Sequence, residues 1–263
     1  MGLIIDLESR TAIVTGVTSG IGLGVAAMLA KAGCNIAGCG RSAADSTGAF
    51  MFKEKVEQWG KRSYYQQADV TKSEDLENFV KSTAEIFKGI DIVVSNAGIN
   101  VFEGVAECSD QRWEENIDLN LASHWRISKC SRPYLEKSKN GVIIIMTSNH
   151  AFSTIPGCFP YNVTKTALTG LVRSIAIEWG PKVRAVGLAP GFIQTPGNDA
   201  WFDSFPDPEA ERKRTIDLHP VKRLGTVEEV GAFCAFLASE FAAFVSGSTF
   251  LMDGGRSALM QDE

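Results

Sequence analysis

The side chains with the most pointed chemical spacing in this sequence are Tyr161 and Lys165, in the stretch "YNVTK". They stand four residues apart, so on a helix both project from one face. A free tyrosine titrates near pH 10 and is a poor acid or base at neutral pH. A neighbouring ammonium stabilises the phenolate and is expected to lower that value. Such a pair can hand a proton to a carbonyl oxygen or take one from an alcohol.

A second chemical signal lies near the N-terminus, in "TGVTSGIG" from Thr15 to Gly22. Gly16, Gly20 and Gly22 allow a tight turn and a close approach of backbone to ligand. The spacing is G-x-x-x-G-x-G rather than the commoner G-x-G-x-x-G. An apolar strand pattern precedes it and an amphipathic helix pattern follows, so the N–H groups that open the helix favour a phosphate. A dinucleotide is the expected ligand of Gly16, Thr18, Ser19, Gly20, Ile21 and Gly22.

The next cue is "AGCGRSA". Enzymes that bind NAD usually carry an acid here for the ribose 2′-hydroxyl. This chain has Gly40, followed by Arg41 and Ser42. An arginine can hold a 2′-phosphate through paired charge-assisted hydrogen bonds. NADP(H) is therefore preferred, with NAD(H) open, because an arginine stacked on adenine would suit either.

Elements that could position these groups run along the whole chain. Apolar runs at "RTAIVTG", "CNIAGCG", "RSYYQQADV", "IDIVVSNAG", "GVIIIMTS", "KVRAVGLAPG" and "GSTFLMDGG" read as strands. Helical patterns fill the gaps, at Ile21 to Gly33, Thr47 to Gly60, Ser73 to Lys88, Ser109 to Lys137, Phe159 to Trp179 and Val227 to Ser239. The strand runs are apolar throughout, as in a parallel sheet covered on both faces. The alternation predicts a doubly wound α/β fold with a seven-stranded sheet flanked by helices, in a single domain over 1–263. Residues 192–226 show no clear element, and their length suggests a substrate loop.

The 26 basic and 31 acidic side chains leave a formal charge of −5. That balance argues against a nucleic-acid partner. The run Arg212, Lys213, Arg214 sits beside Glu209 and Glu211 and reads as a solvated helix face. None of the six cysteines forms a C-x-x-C pair, so no metal site is expected and the thiols read as reduced, in the cytoplasm. No basic run precedes an apolar core near the N-terminus, and no apolar stretch is long enough for a membrane span.

Taken together, these motifs resemble the short-chain dehydrogenase/reductase family, with its Rossmann fold. "TGVTSGIG" looks like its cofactor loop. "ADVT" resembles the stretch flanking adenine, through Asp69 and Val70. "NAG", Asn96 to Gly98 with Ala97 between, looks like the turn that closes the fourth strand. "PGFIQTP" resembles the segment that contacts the nicotinamide, through Pro190, Gly191, Ile193 and Thr195. Asn120 in "DLNLAS" matches the family's helix asparagine, and Ser148 precedes Tyr161 by the family's usual interval of 13 residues.

The resemblance implies roles. Ser148 polarises the substrate oxygen, and Tyr161 transfers the proton. Lys165 holds the nicotinamide ribose and depresses the tyrosine. Asn120 anchors a water that relays protons through Lys165. It also implies a homotetramer built on the two long helices.

Asn149 and His150 stand where the family often has small residues, and a polar substrate contact is one reading of them. His124 is expected to pack. Trp201, Phe202 and Phe205 are expected to lie on a lid or on the domain's own surface. A pocket of Asn100, Phe102, Asn149, His150, Phe192 and Trp201 would suit a small carbonyl or hydroxylated substrate. Two rivals stand beside this reading: an NAD-dependent sugar or polyol dehydrogenase, and a nucleotide-sensing protein without chemistry.

Overall fold

The structure is a computed structural model that describes residue 2 and residues 4–260. The domain expected over 1–263 also includes positions 1, 3 and 261–263, which lie outside the described residues. Seven strands form one sheet: β1 (Thr11–Thr15), β2 (Asn35–Gly40), β3 (Ser63–Gln67), β4 (Ile92–Ser95), β5 (Gly141–Met146), β6 (Val183–Pro190) and β7 (Thr249–Met252). Their order is β3-β2-β1-β4-β5-β6-β7, and every pairing is parallel. The expected doubly wound α/β fold is what the chain adopts.

The all-apolar strand runs have the expected cause. Every residue of β1, β4 and β5 is buried, because helices cover both faces of the sheet. One core cluster joins Val14, Leu29 and Ile144 to Val230. The other joins Ile13, Phe79 and Ile143 to Leu168 and Val172. Ile13, Val14, Ile143 and Ile144 come from β1 and β5, and the others from helices α1 (Gly20–Lys31), α3 (Ser73–Phe87), α6 (Tyr161–Trp179) and α9 (Val227–Ala238). The remaining early helix is α2 (Thr47–Glu57).

Two expectations need correction. The helix expected over Ser109 to Lys137 is broken into α4 (Asp110–Ile117), a π-helical turn (Asp118–Ala122) and α5 (Ser123–Leu135). Asn120 sits inside the π turn, the kind of local widening that recurs at functional sites. Residues 192–226 are not without structure either. They hold α7 (Pro196–Asp203) and α8 (Pro208–Asp217). Each begins with a side-chain cap and a proline in the first turn. Thr195 accepts from the Asn198 amide at 3.2 Å, and Asp207 from the Ala210 amide at 3.0 Å. Both starts follow ordinary capping chemistry.

Candidate active site

In a doubly wound sheet the ligand crevice opens where the strand order reverses, at the carboxyl ends of the strands. Here that point lies between β1 and β4, which pair directly while the chain winds outward from each. Thr15 ends β1, and its hydroxyl oxygen accepts from the amides of Asn96 and Ala97, each at 2.9 Å. Asn96 Nδ2 returns a bond to the Thr15 carbonyl at 2.9 Å. The glycine turn and the "NAG" turn are thus locked together across the crevice.

The residues at this crevice fit a dinucleotide. Gly16 has φ +74°, and a side chain at Gly22 would collide with the Gly16 carbonyl oxygen. Ser19 is the N-cap of α1, yet its side chain makes no capping bond, and the first turn carries no acid. The opening N–H groups of that helix are left for an anion. A Cβ at Gly20 would lie 3.5 Å from Thr195 Cγ2, so the glycine loop and the start of α7 border the same space. Asn198 Nδ2 donates to the Ile193 carbonyl at 2.7 Å, and Gly191 N to that of Met252 at 3.0 Å, which fixes the strand-end segment after Pro190.

At the end of β2, Thr18 and Tyr65 both lie against the Cα of Gly40, where a side chain would stand. The Tyr65 hydroxyl donates to the Ser42 carbonyl at 2.7 Å, and Gln67 Nε2 to that of Arg41 at 2.9 Å. The Arg41 backbone is held while its side chain is exposed. Asp69 points back to Thr71, accepting from its amide at 3.0 Å and from its hydroxyl at 2.8 Å. Burial raises the Asp69 carboxyl, but those bonds, with Arg41 and Lys72, bring it below its ordinary value. Val70 is buried in the core.

Tyr161 opens α6 and is 9% exposed, and Lys165, one turn on, is 3% exposed. Lys165 Nζ donates to the Met146 carbonyl at 3.1 Å and lies 5.5 Å from the centre of the Tyr161 ring. Dehydration works against the expected depression of the phenol. Burial pushes Tyr161 up to about 12, a hydrogen bond with the Ser148 side chain pulls the other way, and Cys158 adds to the rise. Burial also brings Lys165 down to about 8. Loss of water disfavours both charged forms.

Ser148 follows β5 and is buried. Its hydroxyl accepts from the His150 amide at 3.2 Å and donates to Asn149 Oδ1 at 3.3 Å. Asn120 is fully buried. Its Oδ1 accepts from the Ile99 amide at 3.0 Å, and its Nδ2 donates to the Ile99 carbonyl at 2.9 Å. A Cβ at Gly98 would meet Asn120 Oδ1 at 2.7 Å and Lys165 Nζ at 3.5 Å, so those two groups converge on the "NAG" turn. All four residues expected to react therefore gather at one edge of the sheet.

Phe102 and His150 flank the phenol. Their ring centres lie 5.5 and 6.1 Å from that of Tyr161. Burial, then Arg256, keeps His150 below its ordinary value. Phe192 and Trp201 form a different group, 5.5 Å apart, with Phe202 and Phe205. Phe202 is fully buried beneath Arg212 of α8, within the same 192–226 segment. His124 is buried with its Nδ1 2.7 Å from Ser95 Oγ, as a packing residue would be. Sequence reasoning missed Thr15, and it missed Asn116, whose side chain bonds both Asn120 and Pro160. A threonine at a strand end offers no sequence signal of its own. Asn116 could have been found from its i, i+4 spacing to Asn120 on an amphipathic helix.

The chain matches the family model described as Enoyl-(Acyl carrier protein) reductase over residues 16–257. Human "Dehydrogenase/reductase SDR family member 4" is 35% identical over 254 residues, spanning 95% of this chain and 88% of the relative. "3beta-hydroxysteroid dehydrogenase 1" of Eggerthella lenta is 34% identical over 254 residues, spanning 95% and 94%. The solved structure of Thermoplasma acidophilum aldohexose dehydrogenase superposes with a TM-score of 0.89 at 26% identity, covering 99% of each chain. This chain belongs to the short-chain dehydrogenase/reductase family. It is an oxidoreductase of the class that acts on CH–OH/C=O pairs, in a family that uses NAD(P).

The buried lysine has a measurable consequence. Below about pH 8 the folded protein holds a desolvated charge that the unfolded chain would hydrate. Between about 8 and 10.5 the folded state has released that proton and the unfolded state has not, so this group's contribution to stability rises with pH. Lys165→Met is expected to melt above the parent at pH 7, with the gap closing as pH rises through that window. Thermal unfolding at a series of pH values checks it, and a variant less stable than the parent at pH 7 would contradict it.

Proposed function

We propose that this chain is an NADP(H)-preferring oxidoreductase that moves a hydride between nicotinamide and a small carbonyl or alcohol substrate. The observation that carries the reading is the convergence of Ser148, Tyr161, Lys165 and Asn120 beside the crevice between β1 and β4. Bound nicotinamide supplies the hydride. The protein supplies orientation and the proton.

Gly16, Thr18, Ser19, Gly20, Ile21 and Gly22 cradle the phosphates. Asp69 and Val70 flank the adenine, and Asn96, Ala97 and Gly98 border the adenosine half. Pro190, Gly191, Ile193 and Thr195 border the nicotinamide. A phenol held near 12 is fully protonated at neutral pH, so Tyr161 is loaded as an acid for carbonyl reduction. The Ser148 hydroxyl hydrogen-bonds the same substrate oxygen. When Tyr161 gives up its proton, the Lys165 ammonium offsets the phenolate charge. Asn120, converging with Lys165 on Gly98, anchors a water that relays protons through Lys165.

The preference for NADP(H) rests on Gly40 standing where an acid would repel a 2′-phosphate, with Arg41 exposed beside it. Phe102 and His150 line the substrate side of Tyr161, an aromatic slot with one neutral polar group. That favours a small hydroxylated or carbonyl compound. The likeness to an aldohexose dehydrogenase favours a second reading, an NAD-dependent sugar dehydrogenase of the same fold. A cytoplasmic homotetramer completes the proposal. It is supported by six free cysteines and by Trp125 and Ile177, exposed on the two long helices. Among the described residues no helix is long and apolar enough to cross a membrane.

Arg41→Ala is expected to weaken NADP binding at least tenfold while leaving NAD binding nearly unchanged, about 1.4 kcal/mol in the difference. Fluorescence titration with both cofactors reads this, and an unchanged ratio of affinities would remove the NADP preference. A screen of ketones, aldehydes and sugars with NADPH absorbance identifies the substrate. Tyr161→Phe is then expected to lower kcat by about a hundredfold or more with cofactor affinity retained. Turnover at the parent rate would mean another group donates the proton.

A further inference from the structure

Asn116 is buried in the last turn of α4 and belongs to none of the motifs described above. Its amide is used in two opposite directions. Asn116 Oδ1 accepts from Asn120 Nδ2 at 2.7 Å, and Asn116 Nδ2 donates to the Pro160 carbonyl at 3.2 Å. Asn120 lies in the π turn, and Pro160 is the residue immediately before Tyr161. One side chain thus spans from the polar group behind Lys165 to the backbone that launches the helix of the proton donor.

The connection matters because the Pro160 carbonyl, at the base of Tyr161, has little else to hold it. Pro160 is its N-cap and offers no capping side chain. The first helical bond to the Pro160 carbonyl, from the Thr164 amide, is long at 3.4 Å. The bond from Asn116 is the shorter of the two. Asn120 is bound on its other side to Ile99, next to Gly98. The chain of bonds therefore runs from the "NAG" turn through Asn120 and Asn116 to the base of Tyr161. Few residues can supply it. An aspartate would turn lone pairs toward the Pro160 carbonyl, and an apolar side chain would leave one N–H of Asn120 unpaired and the Pro160 carbonyl with only the long bond from Thr164.

We infer that Asn116 is a positioning residue whose buried amide ties Asn120 in the π turn to the carbonyl that precedes Tyr161. Through it, the proton donor and the residue expected to anchor its relay water are held in one fixed geometry. The inference rests on the proton-transfer reading of Tyr161 and Asn120, and it adds a residue that reading does not require.

Asn116→Thr and Asn116→Val test it as a near-isosteric pair. The threonine hydroxyl can accept from Asn120 and donate to Pro160, whereas valine can do neither. In the cofactor-free protein, hydrogen exchange at the Ile99 amide reports how firmly Asn120 is held. Exchange is expected to be about tenfold faster in the valine variant and near the parent rate in the threonine variant. With NADPH and the compound returned by the screen, kcat is expected to fall about tenfold for valine, with NADPH affinity and KM nearly unchanged, and to recover with threonine.

Parent-like exchange and kcat in the valine variant would overturn the inference. So would a threonine variant no better than valine, since Asn116 would then only fill space. Faster exchange with unchanged kcat would overturn it as well. Failure of the functional reading looks different, namely no turnover in the parent or full turnover in Tyr161→Phe, and the Ile99 measurement stands apart from both.

Discussion

Thr15 and Ser95 end neighbouring parallel strands, and from them the chain winds away in opposite directions. No helix can cross over that seam, so a crevice opens along the carboxyl edge of the sheet. Everything chemically distinctive in the molecule depends on it. The Thr15 hydroxyl joins its two banks by accepting from the Asn96 and Ala97 amides. Because all seven strands run the same way, the glycine turn after β1, the "NAG" turn after β4, Ser148 after β5 and the segment after β6 all emerge on the same edge. Residues far apart in sequence meet there with no further device than strand direction.

Within that edge the electrostatics follow from dehydration. Tyr161 and Lys165 are both buried, and each is driven toward its neutral form, one up to about 12 and the other down to about 8. Dehydration thus favours the protonated phenol and the neutral amine over the charged pair. Such a site stores no charge on the tyrosine before reaction. The same dehydration makes the lysine a burden on folding, a familiar tension between stability and activity.

Much of this was legible in the residues. The apolar, non-alternating runs that became β1, β4 and β5 announced a sheet covered on both faces, and the four-residue spacing of Tyr161 and Lys165 placed both on one helix face. Gly16, Gly20 and Gly22 stood out because their spacing sits between a strand pattern and a helix pattern. Other features were hidden for physical reasons. The sign of the Tyr161 shift depends on how much water the fold removes, and a spacing rule does not contain that quantity. The π turn around Asn120 is one extra residue in a helix, with no composition of its own. Helices α7 and α8 did carry signals, Thr195-Pro196 and Asp207-Pro208, but weak apolar periodicity in such short segments masked them. Phe202 could lie on a lid or on the domain's own surface by its neighbours, and its burial beneath Arg212 is set by packing that the sequence does not display.

A crystal structure with NADP⁺ bound measures the central relation, that one crevice holds the dinucleotide and presents the acid to it. The account expects the pyrophosphate at the start of α1, the 2′-phosphate against Arg41, and the hydroxyls of Tyr161 and Ser148 facing a common point beside the nicotinamide. A dinucleotide bound away from the seam between β1 and β4, or a Tyr161 hydroxyl directed away from the nicotinamide, would contradict it.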